Sequence, residues 1–263
     1  MYLGEFIRGA EVPWHYLLVW MGITIPLAYL LFFFIGLFVL MKDSIQAKWR
    51  VFTTEDIRSK LIYICLFIVP PLLAILLGST LYNGWRHFQF TYTPFLLICL
   101  SGIQSFMQNL KQSLHCNVKK LVAGSGLLLL CLNMILLGFW MVSNHPYQQV
   151  FFNSIGGVLG KENFERDYWR ISMKQGLEYI LDHDKKDSIN VCAEDQFADP
   201  TFLMILAKED RQRLHIIHDE GDFPICDYAI NTYRRPDMFT CEKDLDTISV
   251  DGLPILSITN CQK

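Results

Sequence analysis

Charge is what this sequence has least of. Asp, Glu, Lys and Arg make up 19% of the 263 residues, against 52% hydrophobic and 14% aromatic. That is too apolar for a disordered chain and too poor in charge for an ordinary soluble globule. The charge that exists is unevenly placed: residues 1–143 carry ten Lys/Arg against five Asp/Glu, while 144–263 carry thirteen against twenty-one. The acidic half lacks a concentrated basic face, so nucleic acid is excluded as a partner. The chain also lacks a phosphate-cradling glycine loop, a GxSxG elbow, an HExxH pair and any CxxC spacing, which argues against the corresponding nucleotide, hydrolase and zinc chemistries. His215 and His218 stand three apart on a predicted strand, where side chains face opposite sides of the sheet, so they do not share one ion easily. No metal or cofactor is expected.

Four stretches hold no charged side chain at all: residues 16–41, 61–82, 88–110 and 121–143. At about 1.5 Å per residue, each reaches or exceeds the roughly 30 Å hydrocarbon core of a bilayer. They are predicted as four membrane spans. Pro70-Pro71 in the middle of the second must kink a helix or make the segment re-entrant. The first run is longer than a signal-peptide core and no small-x-small cleavage site follows it, so it is expected to remain as a span.

Orientation follows from the loops. Lys42, Lys48, Arg50, Arg58 and Lys60 crowd one linker, and Lys111, Lys119 and Lys120 another. Positive-inside counting places both in the cytoplasm, leaving the N-terminus, the 83–87 turn and the acidic tail outside. Cys65, Cys99, Cys116 and Cys131 fall in spans or a cytoplasmic loop, whereas Cys192, Cys226, Cys241 and Cys261 fall in the tail. Those four allow three pairings or none, and sequence does not choose.

The tail from residue 144 reads as a small extracytoplasmic α/β domain following the transmembrane region of residues 1–143. Apolar periodicity predicts a helix over 171–181, and short β-branched runs predict strands at 188–193, 214–218, 226–233, 247–250 and 254–258, with a helix at 200–208 and a hairpin around Asp251-Gly252.

Several short motifs carry chemistry. In Tyr82-Asn83-Gly84-Trp85-Arg86-His87, a polar turn between two spans, Arg86 offers a bidentate grip for phosphate, His87 a proton donor or acceptor and Trp85 an interfacial anchor. An interfacial anchor for ordinary headgroups is the plainer reading. His145-Pro146-Tyr147 forms a stiff exit from the last span, followed by Phe151-Phe152-Asn153 and Gly156-Gly157. Glu165-Arg166-Asp167-Tyr168-Trp169 sets carboxylates beside aromatic surface of the kind sugars stack on, or forms an Arg-satisfied surface acid with packed aromatics.

Taken in order with Pro13-Trp14-His15-Tyr16 and the late Val250-Asp251-Gly252-Leu253-Pro254-Ile255, these motifs resemble the C-terminal half of GT-C membrane glycosyltransferases, nearest the protein-mannosyltransferase and aminoarabinose-transferase group. The resemblance implies a multi-pass enzyme that transfers a sugar from a polyprenyl-phosphate-linked donor to an acceptor on the outer face, with inversion, while a cation neutralises the leaving phosphate. It implies that Arg86 and His87 face the donor phosphate, that His145 and Tyr147 shape the external cavity, and that Asp167 belongs to the substrate-binding set. It also implies a membrane-lipid environment, in a bacterial inner membrane or, alternatively, the endoplasmic reticulum. Family members are longer. Their catalytic carboxylate lies in an N-terminal half with no counterpart here, and their turn often carries an acid where this chain has Asn83. The catalytic residue is therefore unassigned. The chain is expected to be inactive alone, either as a fragment completed by a separately encoded N-terminal half or as a form that has lost activity. The competing expectation is a non-enzymatic, membrane-anchored binding or assembly protein.

Overall fold

The computed structural model describes residues 1–48, 54–112, 117–193, 203–217, 225–233, 241 and 243–261. The chain divides into a helical unit, Glu5–Ser143 with Phe152–Gly160, and a sheet unit, Met1–Gly4 with Asn144–Phe151 and Lys161–Lys263.

Four helices of the helical unit are long and apolar enough to cross a membrane, but their ends differ from the charge-free runs. The first run is two helices, α1 (Tyr16–Thr24) and α2 (Leu27–Ala47). Pro26 forces the break, because it has no N–H to donate and holds Ile25 in extended backbone (φ −88°, ψ 133°). The spanning-length helix is thus α2, displaced from the expected 16–41 and carrying Lys42 and Asp43 in its last turns. The next, α3 (Glu55–Leu76), begins and ends six residues before the expected 61–82. Glu55 and Asp56 in its first turn complement the helix dipole, and the helix continues through Pro70 and Pro71. Gly78, in left-handed backbone (φ 59°), follows its end, and Ser79 N–H donates to Ala74 O at 2.9 Å. A 3₁₀ turn over Arg86–Thr91 leads into α4 (Tyr92–Gln112), and α5 (Asn117–Ser143) is the fourth long helix.

α2 and α4 run in the same direction, since Phe33 stacks on Phe95 (4.9 Å between centroids) while further along both helices Gly36 meets Gly102. Small residues let the two backbones touch, the usual route to tight packing between apolar helices. Phe67 of α3 joins the aromatic cluster, 4.8 Å from Phe33. Lys60 of α3 bridges Asp56 at 2.8 Å and Asp43 of α2 at 3.2 Å. α5 leaves most of its described side chains exposed.

In the sheet unit, five strands lie in the order β2-β1-β3-β5-β4. They are β1 (Ile189–Ala193), β2 (Leu214–Ile217), β3 (Tyr228–Asn231), β4 (Lys243–Val250) and β5 (Leu253–Asn260). β1 is parallel to both β2 and β3, while β5 is antiparallel to β3 and β4. The expected hairpin is present: Asp251 (φ 51°) and Gly252 (φ 74°) both take the left-handed backbone that a two-residue turn with matching twist requires.

The short helix α6 (Ser154–Val158) belongs to the helical unit. α7 (Ser172–His183) buries Met173, Leu177, Ile180 and Leu181. Gly176 lets it approach the sheet, since a Cβ there would lie 2.8 Å from Leu256 Cδ2. Of the helix expected at 200–208, residues 200–202 lie outside the described residues, Leu203 is helical, 204–206 form a turn and bend, and Lys208 opens the short helix α8 (Lys208–Arg213). Its acids at Glu209 and Asp210 and bases at Arg211 and Arg213 suit the helix dipole, a polar pattern that apolar periodicity does not detect. The tail cysteines pair as Cys192–Cys226, joining β1 to the segment before β3, and Cys241–Cys261, closing the open end of the β4–β5 hairpin.

Candidate functional site

The residues singled out in the sequence fall into two constellations, one in each unit. In the helical unit, α1 presents Tyr16, Trp20 and Thr24 four residues apart, on one helical face. The Tyr82–His87 turn docks against that face. The Tyr16 hydroxyl accepts from Gly84 N–H at 3.1 Å, and Trp85 Nε1–H donates to Thr24 Oγ1 at 2.9 Å. Thr24 Oγ1 in turn donates to Trp20 O at 2.6 Å. A Cβ on Gly84 would sit 3.5 Å from the Trp20 ring, and both Asn83 (φ 57°) and Gly84 (φ 64°) are left-handed. Arg86 lies over the Tyr82 ring at 5.3 Å, and the exposed His87 ring meets Tyr82 edge-on at 4.8 Å.

The other end of α1 is held by Asn153. Its Nδ2 donates to Gly22 O and Ile25 O, both at 2.7 Å, and its own N–H donates to Ile23 O at 2.8 Å. Carbonyls left over at a helix end need such partners when buried. Asn153 Oδ1 meanwhile accepts from Ile155 N–H and Gly156 N–H, capping α6. Phe152 packs on Trp20, 6.3 Å between centroids.

In the sheet unit, the exit segment meets the 165–170 loop. The His145–Pro146 peptide is cis. The exposed His145 accepts at Nδ1 from Gln148 Nε2 at 3.0 Å. Tyr147 is buried and its hydroxyl donates to Gln175 Oε1 at 2.6 Å; burial first, then the negative charges of Asp167 and Glu178, raise its phenol above the ordinary range. Asp167 is buried and its two oxygens receive four donors: Ile171 N–H, Ser172 N–H, Ser172 Oγ–H and Gln149 Nε2–H, at 2.6 to 3.1 Å. It anchors the start of α7 and ties it to the exit segment. Arg166 donates to Pro254 O at 2.6 Å and covers the Tyr233 ring at 4.7 Å, and burial lowers its guanidinium below the ordinary value. Arg166, Tyr168, Arg170, Thr232 and Tyr233 border a shallow cleft with room for little more than one water.

Of the expected binding residues, Arg86 and His87 therefore share one turn and His145 is exposed, whereas Tyr147 and Asp167 are held within the sheet unit by Gln175, Gln149 and Ser172. The roles of Thr24, Asn153, Gln149 and Gln175 were not visible in the sequence. For Thr24 the available signal was Pro26, two residues on, inside an otherwise uninterrupted apolar run. His215 is exposed on β2 and His218 lies outside the described residues; no metal-ligating cluster is present among the described residues. Comparison of the chain with protein-family models, curated proteins and solved structures gave no match. Fold and geometry define a chain with four helices of membrane-crossing length and a small disulfide-bonded C-terminal sheet region.

Proposed function

We propose that this chain is the C-terminal portion of a GT-C-type membrane glycosyltransferase, handling a polyprenyl-phosphate-linked sugar at the outer face of its membrane, with the catalytic carboxylate supplied by a separate N-terminal portion. One observation carries the reading. Tyr16 of the first motif, the Tyr82–His87 turn and the Phe152-Asn153 pair, spread over nearly 140 residues of sequence, converge on the single short helix α1. Arg86 and His87 on that turn supply the cation and the proton-exchanging group that a departing lipid phosphate requires. Two disulfides in the sheet unit and the basic residues clustered at 42–60 and 111–120 support an extracytoplasmic sheet.

A second reading, a non-enzymatic membrane-anchored assembly protein, draws on the internal commitment of Asp167 and Tyr147. The discriminating experiment co-expresses the chain with and without any adjacent reading frame that encodes further spans, and assays sugar transfer from a lipid-phosphate donor. Transfer that needs both halves and disappears with Arg86→Ala supports the enzyme. Inactivity in both cases, with the protein correctly inserted, rejects it in favour of the assembly protein.

A further inference from the structure

We infer that α1 is a positioning strut that orients the Tyr82–His87 turn toward a lipid phosphate, with Tyr16 and Thr24 as the positioning residues. The inference rests on the reading above, that Arg86 and His87 face such a phosphate. Asn83 and Gly84 are consecutive left-handed residues, and the bond that closes the turn around Gly84 and Trp85, Arg86 N–H to Asn83 O, is long at 3.4 Å. Two bonds from α1 hold the turn as well. The Tyr16 hydroxyl holds the backbone at Gly84, the Thr24 hydroxyl holds the indole of Trp85, and the Trp20 ring lies under Gly84 between them. Tyr16 and Thr24 stand eight residues apart, about 12 Å along the helix axis, so the two bonds fix both the position and the heading of the chain that carries Arg86 and His87.

The strut is itself fixed. Asn153 binds backbone carbonyls at Gly22, Ile23 and Ile25, and α1 ends where Pro26 redirects the chain into α2. A side chain gripping a phosphate bidentately tolerates little angular error. Losing one of the two hydroxyl bonds should therefore reduce recognition of the phosphate group while leaving contact with the lipid tail unchanged.

The test uses the full chain in detergent micelles, with farnesyl phosphate as the probe and farnesol as its phosphate-free counterpart. Thr24→Val and Tyr16→Phe are each expected to weaken farnesyl phosphate binding about three- to tenfold, the range of one lost hydrogen bond, with farnesol binding unchanged. Thr24→Ser, which restores the hydroxyl, is expected to restore affinity, an outcome that loss of packing alone does not give. If Arg86→Ala abolishes the preference for the phosphate but Thr24→Val and Tyr16→Phe bind like the parent chain, the strut is overturned and the phosphate-facing turn stands. If farnesyl phosphate binds no better than farnesol, or Arg86→Ala changes nothing, the reading of the turn falls and the strut with it. Tyr16→Phe keeps the ring and its packing, so the test holds even where Thr24→Val fails to fold.

Discussion

Gly36 of α2 and Gly102 of α4 meet backbone to backbone. A Cβ built on Gly36 would overlap the carbonyl oxygen of Ile98, and one built on Gly102 the carbonyl oxygen of Phe32. The obstacles are main-chain atoms, which cannot rotate aside as a side chain can. Gly102→Ala is expected to cost about 1–3 kcal/mol through overpacking, and Gly102→Leu more. Detergent unfolding curves of the purified chain measure this, and unchanged stability in the leucine variant would show that the two helices do not approach so closely.

Asp167 anchors α7 rather than serving as a free acid. Asp167→Ala strands Ser172 N–H and Ile171 N–H, and the expected loss is about 2 kcal/mol, in the range of hydrogen bonds to a buried charge. Asp167→Asn should lose less, because one oxygen remains. Thermal unfolding followed by near-ultraviolet circular dichroism provides the readout. An asparagine variant of full stability that had lost donor binding would instead make Asp167 a substrate-facing group.

Alkaline pH should loosen the sheet unit. Burial, and the hydrogen bond that its hydroxyl donates to Asp184 at 3.0 Å, push the Tyr228 phenol up to about 12, and burial does the same for Tyr2. A free phenol titrates near 10. Because the folded values are the higher ones, this contribution is complete below about pH 10 and is lost as pH rises through about 12. For Tyr228 it is on the order of 2–3 kcal/mol. Tyr228→Phe should flatten the stability profile between about pH 10 and 12, and a profile as steep as that of the parent chain would count against the assignment.

The disulfides close loops of 34 and 20 residues. Removing either by paired Cys→Ala substitution is expected to cost about 3 kcal/mol, mainly by freeing the unfolded chain. Peptide mapping without reductant should recover Cys192 with Cys226 and Cys241 with Cys261. Reporter fusions after Asp187 should read as external and those after Gln46 and Lys119 as cytoplasmic; a cytoplasmic signal at Asp187 would remove the oxidising setting these bonds need.

How far the sequence could be read depended on the range of each interaction. The absence of charge over residues 61–82 and 121–143 revealed α3 and α5, but it misplaced the end of α2, because Lys42 and Asp43 are tolerated near a helix end where Lys60 pairs with the acid. Pro26 was visible yet outweighed by the length of the apolar run, and it decided where α1 stops. β-branched runs located the five strands. Their order and the cysteine pairing depend on contacts that leave no local pattern. The same holds for the site: Arg86 and His87 were evident as polar residues between apolar runs, while the bonds that hold their turn reach 61 and 68 residues back, to Thr24 and Tyr16. Asp167 had a local signal, an acid just ahead of a helix start, that a capping interpretation would have used.

Tyr2 packs on Phe164 with ring centroids 6.0 Å apart, and Met1 O accepts from Glu165 N–H at 3.0 Å. Residues 1–4 thus find these partners only after all four long helices have been made. Until then Tyr2 lacks the Phe164 ring. The sheet unit cannot close progressively from the N-terminus as the chain emerges. Its assembly is a late event that follows the synthesis of all four long helices.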